Sequence, residues 1–163
     1  MRSSQQIGKD FEKTLKSVFL SLQGSTTFLF HEFVDSHAAG NLVAGQPADY
    51  LISINGKLAF LEAKASTTQK RFQRSMLQPA QRGAIIKHAQ IMGTPYYILF
   101  HSSVEKVYHI LDGAIAMKGS RINYADALLM EIPEQNCLAL SLTGYWNLRP
   151  LSEAIRRYEK NYV

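Results

Sequence analysis

The chain has 163 residues, 46% of them apolar, and a formal charge of +5, which suits one domain over residues 1–163 with its own core and a polyanionic partner. Its one cysteine, Cys137, excludes an internal disulfide, leaves no Cys/His spacing for zinc, and reads as a small buried hydrophobe in a strand. The polar, charged N-terminus and the lack of a membrane-length apolar run exclude a signal peptide and a spanning helix, so the expected place is the cytoplasm of a prokaryote or of a phage-infected host.

Ile7, Phe11, Leu15, Val18, Phe19 and Leu22 recur at helical spacing and predict a first helix over Ser4 to Leu22, with Ser3 and Gln6 placed as a capping box. Glu12 borders that stripe. Gly24 and Ser25 end the helix, and the aromatic, β-branched run Thr26 to Asp35 predicts a strand. Within it His31 reads as a structural histidine. Glu32 and Asp35 read as solvated, with an approach to a neighbouring metal site as the other reading. Ser36 to Gln46 is rich in Gly, Ala, Ser and Asn, holds no lysine or arginine, and predicts a loop.

The stretch Pro47 to Ser66 carries the chemistry. Asn55-Gly56 between apolar-rich runs is the sequence of a two-residue hairpin turn, because both central positions need positive φ. With that turn, Ile54 faces Lys57 and Asp49 lies opposite Glu62. Side chains alternate faces along a strand, so Asp49, Glu62 and Lys64 project from one side of the hairpin. Opposed carboxylates repel unless a cation sits between them. Their oxygens suit a hard divalent ion such as Mg²⁺, with Mn²⁺ as a substitute, and the Ala63 carbonyl is a further candidate ligand. Lys64 would orient or deprotonate an attacking water, or neutralise charge growing on a phosphate. The pattern points to a metal-dependent phosphodiesterase.

Between Glu62 and Glu105 no acidic residue occurs, while Lys70, Arg71, Arg74, Arg82 and Lys87 all fall there. Those five are the candidate contacts to nucleic-acid phosphates, Arg71 and Arg74 foremost, although a solvated loop has the same composition. Pro79 opens a helix predicted from Ala80 to Met92, with Ala84, Ile85, His88 and Ile91 facing inward and Gln81 in its first turn. Tyr96 to Phe100 is a nearly continuous apolar run, a strand buried on both faces. Strand, helix, strand in that order predicts a right-handed crossover and a mixed sheet flanked by helices. Beyond it the sequence reads as a strand Lys106 to Leu111, a turn at Asp112-Gly113, a short helix near Tyr124 to Met130, a strand Cys137 to Leu142 and a final helix after Pro150. Arg149, Arg156, Arg157 and Lys160 read chiefly as partners of Glu153 and Glu159 on that helix.

Pro47-x-Asp49 followed by Glu62-Ala63-Lys64 resembles the PD-(D/E)XK nuclease superfamily. Asp49-Tyr50, the hairpin and Gln81 opening the next helix look most like RecU-type Holliday junction resolvases. The likeness runs from about Gly8 to Phe100. It implies an α/β fold with a restriction-endonuclease-like core, a central mixed β-sheet flanked by helices in αβββαβ order, and a C-terminal strand and helix extension. It also implies that Glu12, in Gly8-x-x-Phe11-Glu12, reaches the metal, where the residue alone reads equally as an exposed surface glutamate. Gln81 would hold the scissile phosphate or a water on the ion; a lone glutamine carries no such meaning. The short, uncharged Ser36 to Gln46 departs from the longer basic stalk of the RecU type.

The expected activity is that of a Mg²⁺-dependent endodeoxyribonuclease, a Holliday junction resolvase hydrolysing phosphodiester bonds in branched DNA as a homodimer with two-fold symmetry. The alternatives are another nuclease of the superfamily (a nickase, flap or end-processing enzyme) or a DNA-binding module of the same fold without chemistry.

Overall fold

The computed structural model describes residues 2–33, 45–119 and 123–148. Helix α1 spans Ser4–Leu22, as its apolar spacing predicts, and buries Phe11, Leu15, Phe19 and Leu22 in one stripe. Ser3 accepts the Gln6 N–H at 3.2 Å, but the Gln6 side chain turns to Asp10 at 2.9 Å, so the capping box is one-sided. Strand β1 spans Phe28–Glu32. It starts later than the sequence predicts because the Thr27 N–H is taken by Ser25 Oγ in a local turn. Val34, Asp35 and residues 36–44 of the expected loop lie outside the described residues.

Strands β2, Tyr50–Ile54, and β3, Lys57–Ser66, form the hairpin that the sequence predicts. Asn55 and Gly56 take φ of 51° and 82°, the left-handed pair that the tight turn requires. Tyr50 pairs with Leu61 and Ile54 with Lys57. After a single 3₁₀ turn at Arg74–Met76, helix α2 covers Pro79–Ala84 and winds on as a π-helix over Ile85–Ile91. Strand β4, Tyr96–Ser102, returns parallel to β3 and completes the crossover. Strand β5 is Val107–Asp112, helix α3 is Gly113–Ala116, helix α4 is Tyr124–Ala127, strand β6 is Leu128–Pro133 and helix α5 is Leu138–Tyr145.

The sheet runs β1-β2-β3-β4-β5-β6, antiparallel except at β3–β4. It is the mixed sheet with flanking helices that the sequence predicts. Alternation along each strand feeds two cores. On one face Leu61, Ala63, Leu99 and Ile110 pack with Leu15, Phe19, Leu138 and Trp146 of α1 and the α5 region. On the other, Phe60, Ile98, Phe100 and Leu111 pack with Phe72, Leu77 and Ile85 around α2. Among the described residues no helix is long and apolar enough to cross a membrane.

Four expectations are corrected. Ile91 is 74% exposed rather than inward, because i→i+5 winding, seen in Met92 N–H to Lys87 carbonyl at 3.3 Å, rotates it off the buried stripe. Asp112 ends β5 as the N-cap of α3, accepting from the Ile115 N–H at 3.0 Å, rather than starting a bare turn. The helix expected to reach Met130 stops at Ala127, since Leu128–Pro133 pairs with β5 as the edge strand. Cys137 to Leu142 is not a strand: Cys137 is exposed and precedes α5, whose Leu138 and Leu142, four residues apart, enter the core below α1. The final helix expected after Pro150, with Arg149, Arg156, Arg157 and Lys160, lies outside the described residues.

Candidate active site

The hairpin register decides the site. Asp49 immediately precedes β2, and continuing the pairing of Tyr50 with Leu61 sets it against Glu62. Its carbonyl accepts the Phe33 N–H at 2.9 Å, which ties it to the end of β1. The carboxylates meet through the backbone. Asp49 N–H donates to Glu62 Oε2 at 3.1 Å, and Ala63 N–H donates to Asp49 Oδ2 at 2.8 Å. Glu62 is 1% exposed and lies on the α2 face of the sheet, between Phe60 and Lys64 along the strand. Lys64 Nζ stands 3.1 Å from Glu62 Oε1.

Helix α2 supplies the next contact. Pro79 fixes its first turn, and there the Gln78 N–H donates to Gln81 Oε1 at 2.9 Å. With its oxygen occupied, the Gln81 amide turns Nε2 onto Glu62 Oε1 at 2.6 Å. Helix α1 is joined to the hairpin by Tyr50, whose hydroxyl donates to the Glu12 carbonyl at 3.2 Å. The Tyr96 hydroxyl donates to the Pro47 carbonyl at 2.6 Å and anchors the chain leading into Asp49.

Together these elements enclose a cleft of about 290 Å³ lined by Glu12, Glu32, Asp49, Glu62, Lys64 and Gln81. All five residues that the sequence nominates for catalysis are on its wall. Glu32 is there too, bound at 2.8 Å to Lys16. Gly45 brings the opposite wall close, since a Cβ at that position would lie 2.8 Å from Ala80 Cβ.

Burial pushes the Asp49 carboxyl up to about 8, helped by the charge of Glu62 and opposed by the Ala63 N–H and Lys64. Burial likewise raises Glu62, with Lys64 opposing. Two buried carboxylates competing for one space retain a proton, and a divalent cation would remove that competition. The donor set fits such an ion. Asp49 and Glu62 are oxygen donors of the kind Mg²⁺ takes when it binds through one or two carboxylates, waters and phosphate oxygens. Among the described residues no three His, Cys, Asp or Glu side chains form a metal-holding group. What the structure shows of Ala63 is its N–H on Asp49.

No protein-family model matches the chain, and no curated protein matches it. Among solved structures, the chain is similar to Hjc of Archaeoglobus fulgidus, a Holliday junction resolvase from an archaeal hyperthermophile. That likeness covers 84% of this chain and 98% of the other, at 12% identity and a TM-score of 0.48.

The basic candidates separate. Arg71 and Arg74 line a second cleft, of about 1070 Å³, with Lys118, Asn123 and Tyr124. Arg71 lies over the Tyr124 ring, 5.0 Å from its centroid. The Tyr124 hydroxyl accepts the Phe72 N–H at 3.2 Å and meets His109 Nδ1 at 2.9 Å, so the platform beneath Arg71 is fixed. Lys70 is elsewhere, exposed and 3.5 Å from Glu105. Arg82 and Lys87 sit on α2 and its π-helical continuation, outside that cleft. Lys118 had no signal in the sequence beyond its charge.

Proposed function

We propose that this chain is a divalent-metal-dependent endodeoxyribonuclease that hydrolyses phosphodiester bonds in branched DNA, with a four-way junction as its substrate. The observation that carries this is the convergence of Asp49, Glu62, Lys64 and Gln81 in one cleft, with Glu12 on its wall. Asp49 and Glu62 would hold Mg²⁺, or Mn²⁺ in its place, with Glu12 at the margin. Such an ion supplies an activated water and neutralises charge on the transferred phosphate. Lys64, its side chain 19% exposed, reaches the cleft as a cation that orients the nucleophile and stabilises the pentavalent charge. Gln81 fixes Glu62 Oε1, and the Asp49 N–H fixes Oε2. Arg71 and Arg74 grip backbone phosphates away from the cut.

Cutting two strands of a junction symmetrically needs two such sites, so the working particle is a two-fold homodimer acting on cytoplasmic DNA. The test incubates purified protein and Mg²⁺ with four-way junction, flap, nicked and linear duplexes side by side. Paired symmetrical cuts in the junction are expected. Asp49→Ala and Glu62→Ala should abolish cutting while junction binding persists; cleavage that survives either change removes the site assignment. Cutting confined to flaps or nicks would make the protein a processing nuclease, and binding without cutting by the wild type a DNA-binding module.

A further inference from the structure

The last pair of the β2–β3 ladder is Tyr50 with Leu61, so Asp49 enters the site from the chain in front of β2. Its bonds within the site, Asp49 N–H to Glu62 Oε2 and Ala63 N–H to Asp49 Oδ2, end on carboxylate oxygens, the atoms a cation would take. A restraint that does not depend on those oxygens has to come from the backbone on either side. Beyond β2 the Phe33 N–H supplies one through the Asp49 carbonyl.

Tyr96 supplies the other. It opens β4, pairs with Phe60 in the parallel ladder, and follows Pro95, whose carbonyl accepts the Phe60 N–H at 3.0 Å. Its base is therefore fixed to β3, two residues before Glu62. Its ring, 3% exposed, packs 5.8 Å from that of Phe60. The hydroxyl donates to the Pro47 carbonyl at 2.6 Å, which sets the plane of the peptide between Pro47 and Ala48. Ala48 is itself buried in the same core cluster as Phe60 and Tyr96. The chain thus reaches Asp49 with one peptide clamped by a hydrogen bond and the next residue clamped by packing. Burial, joined by the charges of Glu62 and Asp49, pushes the Tyr96 phenol up, so the hydroxyl stays a donor.

The ring has a fitted seat. A Cβ on Gly113, the first residue of α3, would lie 2.7 Å from the Tyr96 ring and 2.8 Å from the Tyr96 carbonyl oxygen. Gly113 is buried, and its missing side chain is what lets the ring lie where its hydroxyl meets Pro47.

We infer that Tyr96, seated against Gly113, is a positioning residue for Asp49: through the Pro47 carbonyl it sets the spacing between the Asp49 and Glu62 carboxylates and so the affinity of the site for a divalent ion. The inference rests on the reading of these two carboxylates as the pair that holds the ion. Mg²⁺ demands near-ideal octahedral geometry with oxygens about 2.0–2.1 Å away, so a carboxylate freed to drift by a fraction of an ångström binds it less well.

The test titrates the full-length protein with Mn²⁺, free ion being read by electron paramagnetic resonance, and in parallel measures junction cleavage against Mg²⁺ concentration. Tyr96→Phe keeps the ring and its packing and removes only the hydroxyl. It should weaken Mn²⁺ binding by about tenfold and raise the Mg²⁺ concentration for half-maximal cutting by a similar factor, while turnover at saturating Mg²⁺ stays near wild type. Gly113→Ala should shift the Mn²⁺ affinity in the same direction and add nothing in the Tyr96→Phe background, because both act through one hydrogen bond; additive losses would take Gly113 out of the assignment. A purely structural tyrosine would lower the melting temperature in chelator and leave the Mn²⁺ dissociation constant of Tyr96→Phe at the wild-type value, and that result overturns the inference. If Asp49→Ala abolishes Mn²⁺ binding while Tyr96→Phe leaves it intact, the nuclease reading stands and the positioning role falls. Weakened binding in Tyr96→Phe with no cleavage by the wild type supports the positioning role and removes the nuclease reading. A wild type that binds no Mn²⁺, or whose binding survives Asp49→Ala, overturns the metal site and the inference with it.

Discussion

Asp49 and Glu62 tie the stability of the fold to the ion it would carry. Asp49 ionises near 3.8 in an unfolded chain and near 8 in the folded one. Between those values the folded state holds the extra proton, so stability declines as pH rises through that window and levels off above it, by at most about 1.4 kcal/mol per pH unit for one proton. Metal-free protein should therefore melt at a higher temperature at pH 5 than at pH 8. Saturating Mg²⁺ should flatten that slope and raise Tm at pH 8, since binding displaces the proton. Thermal unfolding in chelator and in Mg²⁺ across that range decides it; a slope indifferent to Mg²⁺ would detach the ion from these carboxylates. Gln81 acts through Glu62, so Gln81→Ala should weaken metal affinity or turnover by about 10- to 100-fold, read by metal titration, and leave DNA affinity intact. The positions of Asp49, Glu62 and Lys64 were legible because period-two alternation and one turn dipeptide settle a register. The Tyr50 to Glu12 and Tyr96 to Pro47 bonds were not, since each joins a side chain to a backbone carbonyl far away in sequence, a pairing no local pattern encodes.

The hairpin is the element on which that geometry depends. Gly56 sits at φ of 82°, where a β-branched side chain is strained, and Gly56→Val should cost about 1–2 kcal/mol in denaturant unfolding. A one-residue slip of the register would carry Glu62 to the α1 face and Ala63 to the cleft. Activity should therefore fall more steeply than stability in variants that lengthen the turn, measured as cleavage rate against unfolding midpoint on the same preparations. The chain through Phe100 was readable at this scale, apart from the later start of β1 and the π-wound end of the helix that carries Ile91, because its elements are long or bounded by Pro and Gly. The second half was misread where short apolar runs satisfy two periods at once. Leu138-Ala139-Leu140-Ser141-Leu142 alternates like a strand, yet it packs as a helix through Leu138 and Leu142 and leaves Leu140 51% exposed. Leu128 to Pro133 continues a helical stretch in composition, but the free edge of β5 captures it, and Pro133 is tolerated because β6 is itself an edge.

For the whole molecule, a surplus of +5 spread evenly would give weak attraction to DNA, so its distribution matters more than its size. Two of the five basic candidates converge with Lys118 in the cleft beyond α3 and α4, whereas Lys70 is engaged by Glu105 in solvent. The position of the cations around that cleft makes a quantitative claim about salt. Each phosphate neutralised on duplex DNA contributes about 0.9 to the slope of log affinity against log salt. Arg71→Ala with Arg74→Ala should then lower the magnitude of that slope by about 1.8, and adding Lys118→Ala by about 0.9 more, while Lys70→Ala leaves it within error. Removing the guanidinium over Tyr124 leaves that ring in place, because its hydroxyl is bound to the Phe72 N–H and to His109, so the change in slope reports contact with DNA and not a collapsed cleft. Fluorescence anisotropy of a labelled junction over a salt series makes the measurement, and an unchanged slope in the double variant would move the DNA off this face.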